Sequence, residues 1–177
     1  MQDFLNSLHI ERGTDELTDP ARALRWLRQI GLLPPPVGSA SLTLSSHELE
    51  VLVALRVALR DLVSTRTTTT HRARAAEQLA GLANASRYEI RTDAVGSIRF
   101  EPVGTPVERL LGTIVSFVHD AQRDHTWERL KICRSDACAW VFYDQSRNHS
   151  ATWCAMGVCG NRQKVSRHRQ RQRAADA

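Results

Sequence analysis

Apolar residues recur at helical spacing through most of the first 120 positions and alternate in one stretch. Ala23, Leu24, Leu27 and Ile30 form the stripe of a helix that Asp19 caps, Pro20 opens and Gly31 closes. Leu32 to Gly38, with three consecutive prolines, reads as a stiff extended connector. Ser45-x-x-Glu48 is a capping-box pattern that opens a helix to about Ser64. From Leu49 to Val63, 11 of 15 residues are apolar, which predicts a central helix covered on several sides. A shorter helix follows over about His71 to Ala83. Tyr88, Ile90, Ile98 and Phe100 alternate on either side of Thr92-Asp-Ala-Val-Gly96, the pattern of a β-hairpin. Thr105-Pro106-x-Glu108 caps a further helix, whose stripe is Val107, Leu110, Leu111, Ile114, Val115 and Val118. It ends near Ala121–Asp124, where the pattern changes. The expectation is a mainly α domain with a small β-hairpin over 1–124 and a smaller module over 125–177.

The module has no long apolar stripe. Residues 128–132 and 139–143 read as short strands around a turn, Asp144–Ser150 as a polar loop, and the stretch after Cys159 as a helix. Charge divides the chain at the same place. Residues 1–120 hold 13 basic and 14 acidic side chains; residues 121–177 hold 11 basic and 5 acidic. The overall charge of +5 and pI near 9.5 therefore come from the module, which suggests an anionic partner, nucleic acid first. Of the 24 basic residues 22 are Arg, in both parts of the chain, a bias that codon composition also explains. The N-terminal residues carry neither a positive n-region nor an apolar h-region, and apolar runs are short, so a cytoplasmic protein without a membrane span is expected.

All four cysteines lie here, as Cys133-x4-Cys138-x15-Cys154-x4-Cys159. Two equally spaced pairs can fold back and present four sulfurs to one tetrahedral ion, and thiolate suits a structural Zn²⁺. Four thiolates would leave no open coordination position, so such a metal builds structure rather than doing chemistry. Two disulfides and an iron–sulfur cluster are the alternatives the spacing leaves. Replacing one ligand is expected to unfold residues ~130–160 and spare the helical domain, because metal binding is the folding energy of so small a module. Trp140, Phe142, Trp153 and Met156 are expected to form an apolar cap around the site. His149 lies between the pairs as the one histidine placed to replace a ligand.

Residues 159–162 read Cys-Gly-Asn-Arg. Together with Arg129-Leu-Lys-Ile-Cys133, Cys138-Ala-Trp-Val-Phe-Tyr-Asp-Gln-Ser-Arg-Asn148 and Trp153-Cys-Ala-Met156, in that order and spacing, the segment resembles the CGNR zinc fingers. The chain has Ala151-Thr152 where that family usually carries basic residues, so no nucleic-acid contact transfers to those two positions. Phe4-Leu-Asn-Ser7 and Trp26-Leu27 with Gly31-Leu32 are similar to the opening of the ABATE domain that commonly precedes such fingers. The resemblance implies one structural zinc on Cys133, Cys138, Cys154 and Cys159, and a regulator module in the N-terminal part. Read on its own residues, Trp26 is a core or half-buried aromatic and Asn6 a turn or cap residue. The finger is expected to be treble-clef-like, with the second cysteine pair at the start of a basic helix.

Arg162 to Arg173 contains six Lys/Arg, one His and no acid. At 100° per residue Arg162, Arg169 and Arg173 fall on one side and Lys164, Arg167 and Arg171 on the other, with Val165 the one apolar residue. Two cationic stripes suit the two phosphate backbones of a DNA groove; a solvated tail is the bland reading. Candidate nucleic-acid contacts are Arg147, Arg162, Lys164, Arg167, Arg169, Arg171 and Arg173. Arg162 has a second reading, as a structural group bonded to knuckle carbonyls or to the Asp144 loop. No P-loop, G-x-G-x-x-G, G-x-S-x-G or H-E-x-x-H is present, so an enzyme is not expected. These features favour a DNA-binding transcription regulator whose N-terminal domain senses a small molecule or a partner, or forms a homodimer. An RNA- or protein-binding adaptor, in which zinc only folds the module, is the alternative.

Overall fold

Helix α3 (Ser46–Val63) is the axis on which the rest is assembled. The computed structural model describes residues 1–35 and 42–175; positions 36–38 of the expected connector lie outside them. In chain order come α1 (Gln2–Leu5), β1 (Leu8–His9), β2 (Thr14–Asp15), α2 (Pro20–Gln29), α3, α4 (Thr69–Ala83), β3 (Arg87–Thr92) and β4 (Ile98–Val103). Then follow α5 (Pro106–Arg123), β5 (Leu130–Ile132), β6 (Val141–Tyr143) and α6 (Asn161–Ala175). Among the described residues the strands form three antiparallel pairs, β1 with β2, β3 with β4 and β5 with β6. The fold is mainly helical with small antiparallel pairs, as the pattern predicts. The two-residue strands β1 and β2 and the single turn of α1 are too short to leave a periodicity, and the pattern did not predict them.

Both capping boxes form. Ser45 Oγ accepts from the Glu48 N–H, and the Glu48 carboxylate accepts from the Ser45 N–H. Thr105 and Glu108 repeat the arrangement at α5, and Asp19 caps α2 through the Arg22 N–H at 2.9 Å. Each cap satisfies backbone donors that the first helical turn leaves free. Leu49, Leu52, Leu55, Leu59 and Val63 of α3 meet Val107, Leu110, Leu111, Ile114 and Val118 of α5 in one core. Phe4 and Leu5 of α1, Leu27 of α2 and Val141 of β6 belong to it too. Full burial of each such side chain stabilises by about 1.5–3 kcal/mol.

The hairpin leans on α5 at Gly112. A β-carbon there would lie 2.6 Å from Pro102 Cβ, and Tyr88 Oη donates to the Gly112 carbonyl at 2.9 Å. No helix among the described residues is long and apolar enough to cross a membrane.

Candidate metal centre and the basic helix

Strands β5 and β6 pair with Leu130 opposite Tyr143 and Ile132 opposite Val141, which sets Cys133 and Cys138 on the turn between them. The Cys133 N–H donates to the Trp140 carbonyl (2.8 Å), and the Cys138 and Ala139 N–H groups both donate to Ser135 O (2.9 and 2.8 Å). Ala139 leaves the turn with φ +45°, a left-handed conformation that non-glycine residues seldom adopt. The Arg134 N–H donates to Thr152 O at 3.0 Å and so lays the second cysteine segment beside the first. Cys159 lies in a single π-helical turn, Met156–Gly160, that runs directly into α6.

The four sulfurs converge. Cys138 Sγ is 3.6 Å from Cys154 Sγ, Cys154 Sγ is 3.8 Å from Cys159 Sγ, and all four lie within 4.8 Å of one another. A tetrahedron of sulfurs at ~2.3 Å from Zn²⁺ has edges of about 3.8 Å. All four cysteines are free thiols gathered at one point, not two bridged pairs. They fit a single four-thiolate ion, and a zinc bound there supplies a closed structural centre. Burial, reinforced by the neighbouring sulfurs, pushes the Cys159 thiol up to about 11 and Cys154 well above its ordinary value. Cys133 goes down, because amide N–H groups and neighbouring thiols outweigh its burial. Metal binding must therefore displace protons.

Asp144 fixes the loop between the cysteine pairs. Its side chain is fully buried and accepts from Lys131 Nζ (2.6 Å), the Ser146 N–H (2.8 Å) and the Ala151 N–H (3.0 Å). Lys131 first, and Ser146 after it, hold this carboxyl well below the usual carboxylate range. Lys131 also donates to His149 O, and Arg129 to Asp144 O at 3.0 Å. His149 thus offers its carbonyl to the loop and is not among the metal-ligating group. Phe142 is buried against the cysteines with Trp140 and Trp153 half-buried around it. Met156 departs from the expected cap: it is 60 % exposed, its sulfur lying over Gly160.

The finger is bolted to the helical domain. Asn6 Nδ2 donates to Val141 O and its Oδ1 accepts from the Val141 N–H, both at 2.8 Å and buried. Asn6 is the C-cap of α1 as well, so it does more than close a turn. Arg60 donates to Leu5 O and Ala139 O, each at 2.7 Å, and Arg66 pairs with Asp136. The His9 and Trp140 rings meet at a tilt of 54° with their centroids 5.0 Å apart. Local pattern could not reveal these contacts; the one sequence signal, and for the Arg60 bonds alone, was an arginine within the largely apolar run from Leu49 to Val63.

Helix α6 leaves the metal centre with its cations exposed. Lys164, Arg167, Arg169, Arg171 and Arg173 are all at the surface, and among the described residues none of the five pairs with a carboxylate. Val158, Arg162, Val165, Ser166, Arg169, Gln170 and Arg173 line one shallow trough, and Lys164, Arg167 and Arg171 lie outside it. Arg162 is structural in a different way from the one expected. It pairs with Glu11 in the β1–β2 turn at 2.5 Å, while the Asp144 loop takes its cations from Lys131 and Arg129. Arg147 is exposed in the loop after β6.

Two family models match the chain. The CGNR zinc finger matches residues 129–172, and ABATE, described as "Putative stress-induced transcription regulator", matches residues 1–116. A comparison with curated proteins finds no match. With two thirds of its length in the first domain and its four sulfurs placed for one zinc, the chain belongs to the ABATE family and carries a CGNR zinc finger.

Proposed function

We propose that this zinc-finger regulator binds duplex DNA through α6, with residues 1–124 receiving a small-molecule or protein signal and residues 125–177 contacting DNA. The observation that carries this reading is the helix itself. It starts at the metal centre, holds six cations and no acid from Arg162 to Arg173, and is exposed along its length. A helix whose cations beyond Arg162 pair with no carboxylate among the described residues suits two phosphate backbones at once. The Glu11–Arg162 pair and the Asn6 clamp fix the direction in which α6 leaves the body. The zinc organises the helix start, and no catalytic role is proposed, since all four cysteines serve as ligands. Docking of the finger on the helical domain favours a second reading, an adaptor in which zinc only shapes a protein- or RNA-binding module.

Replacing Arg167, Arg169 and Arg171 by Ala tests the choice. These exposed side chains can be removed without loss of zinc or fold. If each meets a phosphate, duplex affinity drops and the slope of log K against log salt flattens by roughly 3. An unchanged slope, or binding to RNA or protein alone, transfers the reading to the adaptor.

A further inference from the structure

Between its two cationic stripes α6 has two strips that carry no Lys or Arg. At about 100° per residue, Asn161, Val165, His168 and Gln172 lie within about 60° of one another. Lys164, Arg167 and Arg171 flank this strip on one side and Arg162, Arg169 and Arg173 on the other, each about 70–130° from its centre. Gln163, Ser166 and Gln170 form the strip on the far side of the helix, equally flanked. Pattern alone does not choose between the two, and the structure does. Gln163 is half-buried while every other residue from Asn161 to Ala174 is exposed, so the rest of the molecule closes on the start of the far strip. The first strip looks outward. Val165 in it is 48 % exposed, a large apolar side chain in the open. Asn161 is committed to the turn before the helix, its Nδ2 donating to Gly157 O at 3.0 Å.

We infer that the outward strip faces the base pairs of a DNA major groove and that Val165, His168 and Gln172 read the sequence there. The assignment rests on DNA binding by α6 as proposed above. A helix seated in that groove turns its flanks to the two phosphate backbones and its central strip to the base edges. Both flanks of this strip are cationic, with no acid from Arg162 to Arg173, the complement of two rows of phosphates. The chemistry of the strip matches what base edges offer. The Val165 methyls suit the C5-methyl of thymine, and the Gln172 carboxamide can donate to N7 and accept from N6 of adenine. His168, between them, has a ring nitrogen to donate to a purine N7. At about 1.5 Å of rise per residue, Val165 and Gln172 are about 10.5 Å apart along the axis, close to three base steps of about 3.4 Å. The expected site therefore holds a thymine and an adenine three base pairs apart, with a purine between.

Selection from a random duplex library by the full-length, zinc-loaded protein, followed by titration of the enriched site, tests this. Gln172→Ala should lower discrimination at the adenine position about tenfold. The slope of log K against log salt should stay as in the wild type, because Gln172 meets no phosphate. Replacing the thymine by deoxyuridine removes its methyl and should weaken wild-type binding about fourfold, while Val165→Ser should be indifferent to the exchange. Gln170→Ala, on the far strip, should change neither preference. All three positions are exposed, so circular dichroism and zinc content should match the wild type. Duplex binding without sequence preference, or a preference that Gln172→Ala and Val165→Ser leave intact, overturns the inference and leaves the phosphate contacts of α6 standing. A preference lost in Gln170→Ala overturns it too, because the far strip then reads the bases. A wild type that binds no duplex at all overturns both this inference and the reading beneath it.

Discussion

Arg56 lies on the buried side of α3, 4 % exposed. It donates to both Asp15 carboxylate oxygens (2.5 and 2.8 Å) and to Ser7 Oγ (3.0 Å). The pair ties the β1–β2 turn to the central helix, and removing one partner leaves the other charge buried alone. Asp15→Ala should therefore lower the unfolding free energy by about 3 kcal/mol or more in urea titrations. Arg22→Ala breaks a partly exposed pair with Glu16 and should cost about 1 kcal/mol, less than the buried pair. The pH dependence follows from the same contact. Burial alone would raise the Asp15 carboxyl, but Arg56 and the Leu17 N–H outweigh it and hold the carboxyl below its ordinary value. A depressed native value means the stabilisation is present above about pH 4, the unfolded value, and is lost as pH falls through the native one. Stability measured on acidification should fall more steeply in the wild type than in Asp15→Asn.

Among the elements, α5 and the hairpin share one close approach, at Gly112. Alanine is the better helix former by about 1 kcal/mol, yet its β-carbon would meet Pro102 Cβ at 2.6 Å. Pro102 is part of a rigid strand and cannot move aside as a flexible side chain would. Gly112→Ala should then be destabilising by about 1–2 kcal/mol net, since overpacking outweighs propensity. It should also loosen the hairpin, because Tyr88 loses its 2.9 Å bond to the Gly112 carbonyl. Amide exchange checks this: β3 and β4 amides should lose protection more than those of α3.

At the scale of the whole molecule, zinc and the helical core are coupled. Val141 follows the first cysteine pair and is also fully buried in the main core, and Asn6 holds its backbone from the other side. A finger isolated from the helical domain would melt alone on losing its metal. Here Cys138→Ser should remove zinc, unfold residues ~130–160 and also lower the midpoint of the N-terminal domain, read by helical circular dichroism. Zinc affinity should fall as pH falls, because thiols held up by burial, Cys159 at about 11, must release protons to bind. Competition with a chelator across a pH series measures that slope, and a flat response would mean thiolates preformed without metal.

Local chemistry carries its own signature in the chain, and there the sequence was sufficient. Ser45 with Glu48, Thr105 with Glu108 and Asp19 before Pro20 place helix starts because each cap acts within four residues. Four cysteines in two equal pairs describe a metal site because the ion's geometry selects the spacing, and the sulfurs do converge. The helical stripe of α5 pointed to the core because burial repeats with the turn. What the chain conceals is longer in range. Asn6 meets Val141 across 135 residues, and Glu11 meets Arg162 across 151. No periodicity encodes such pairs; they exist because packing α1 and the β1–β2 turn against the finger leaves backbone and charge to be satisfied there. Tertiary structure likewise decided that Met156 points outward and that Ile90, Ile98 and Phe100, patterned like core residues, lie in the open. Alternation tells which side chains share a face, and only the packing of α5 at one end of the ribbon determines how much of that face is covered.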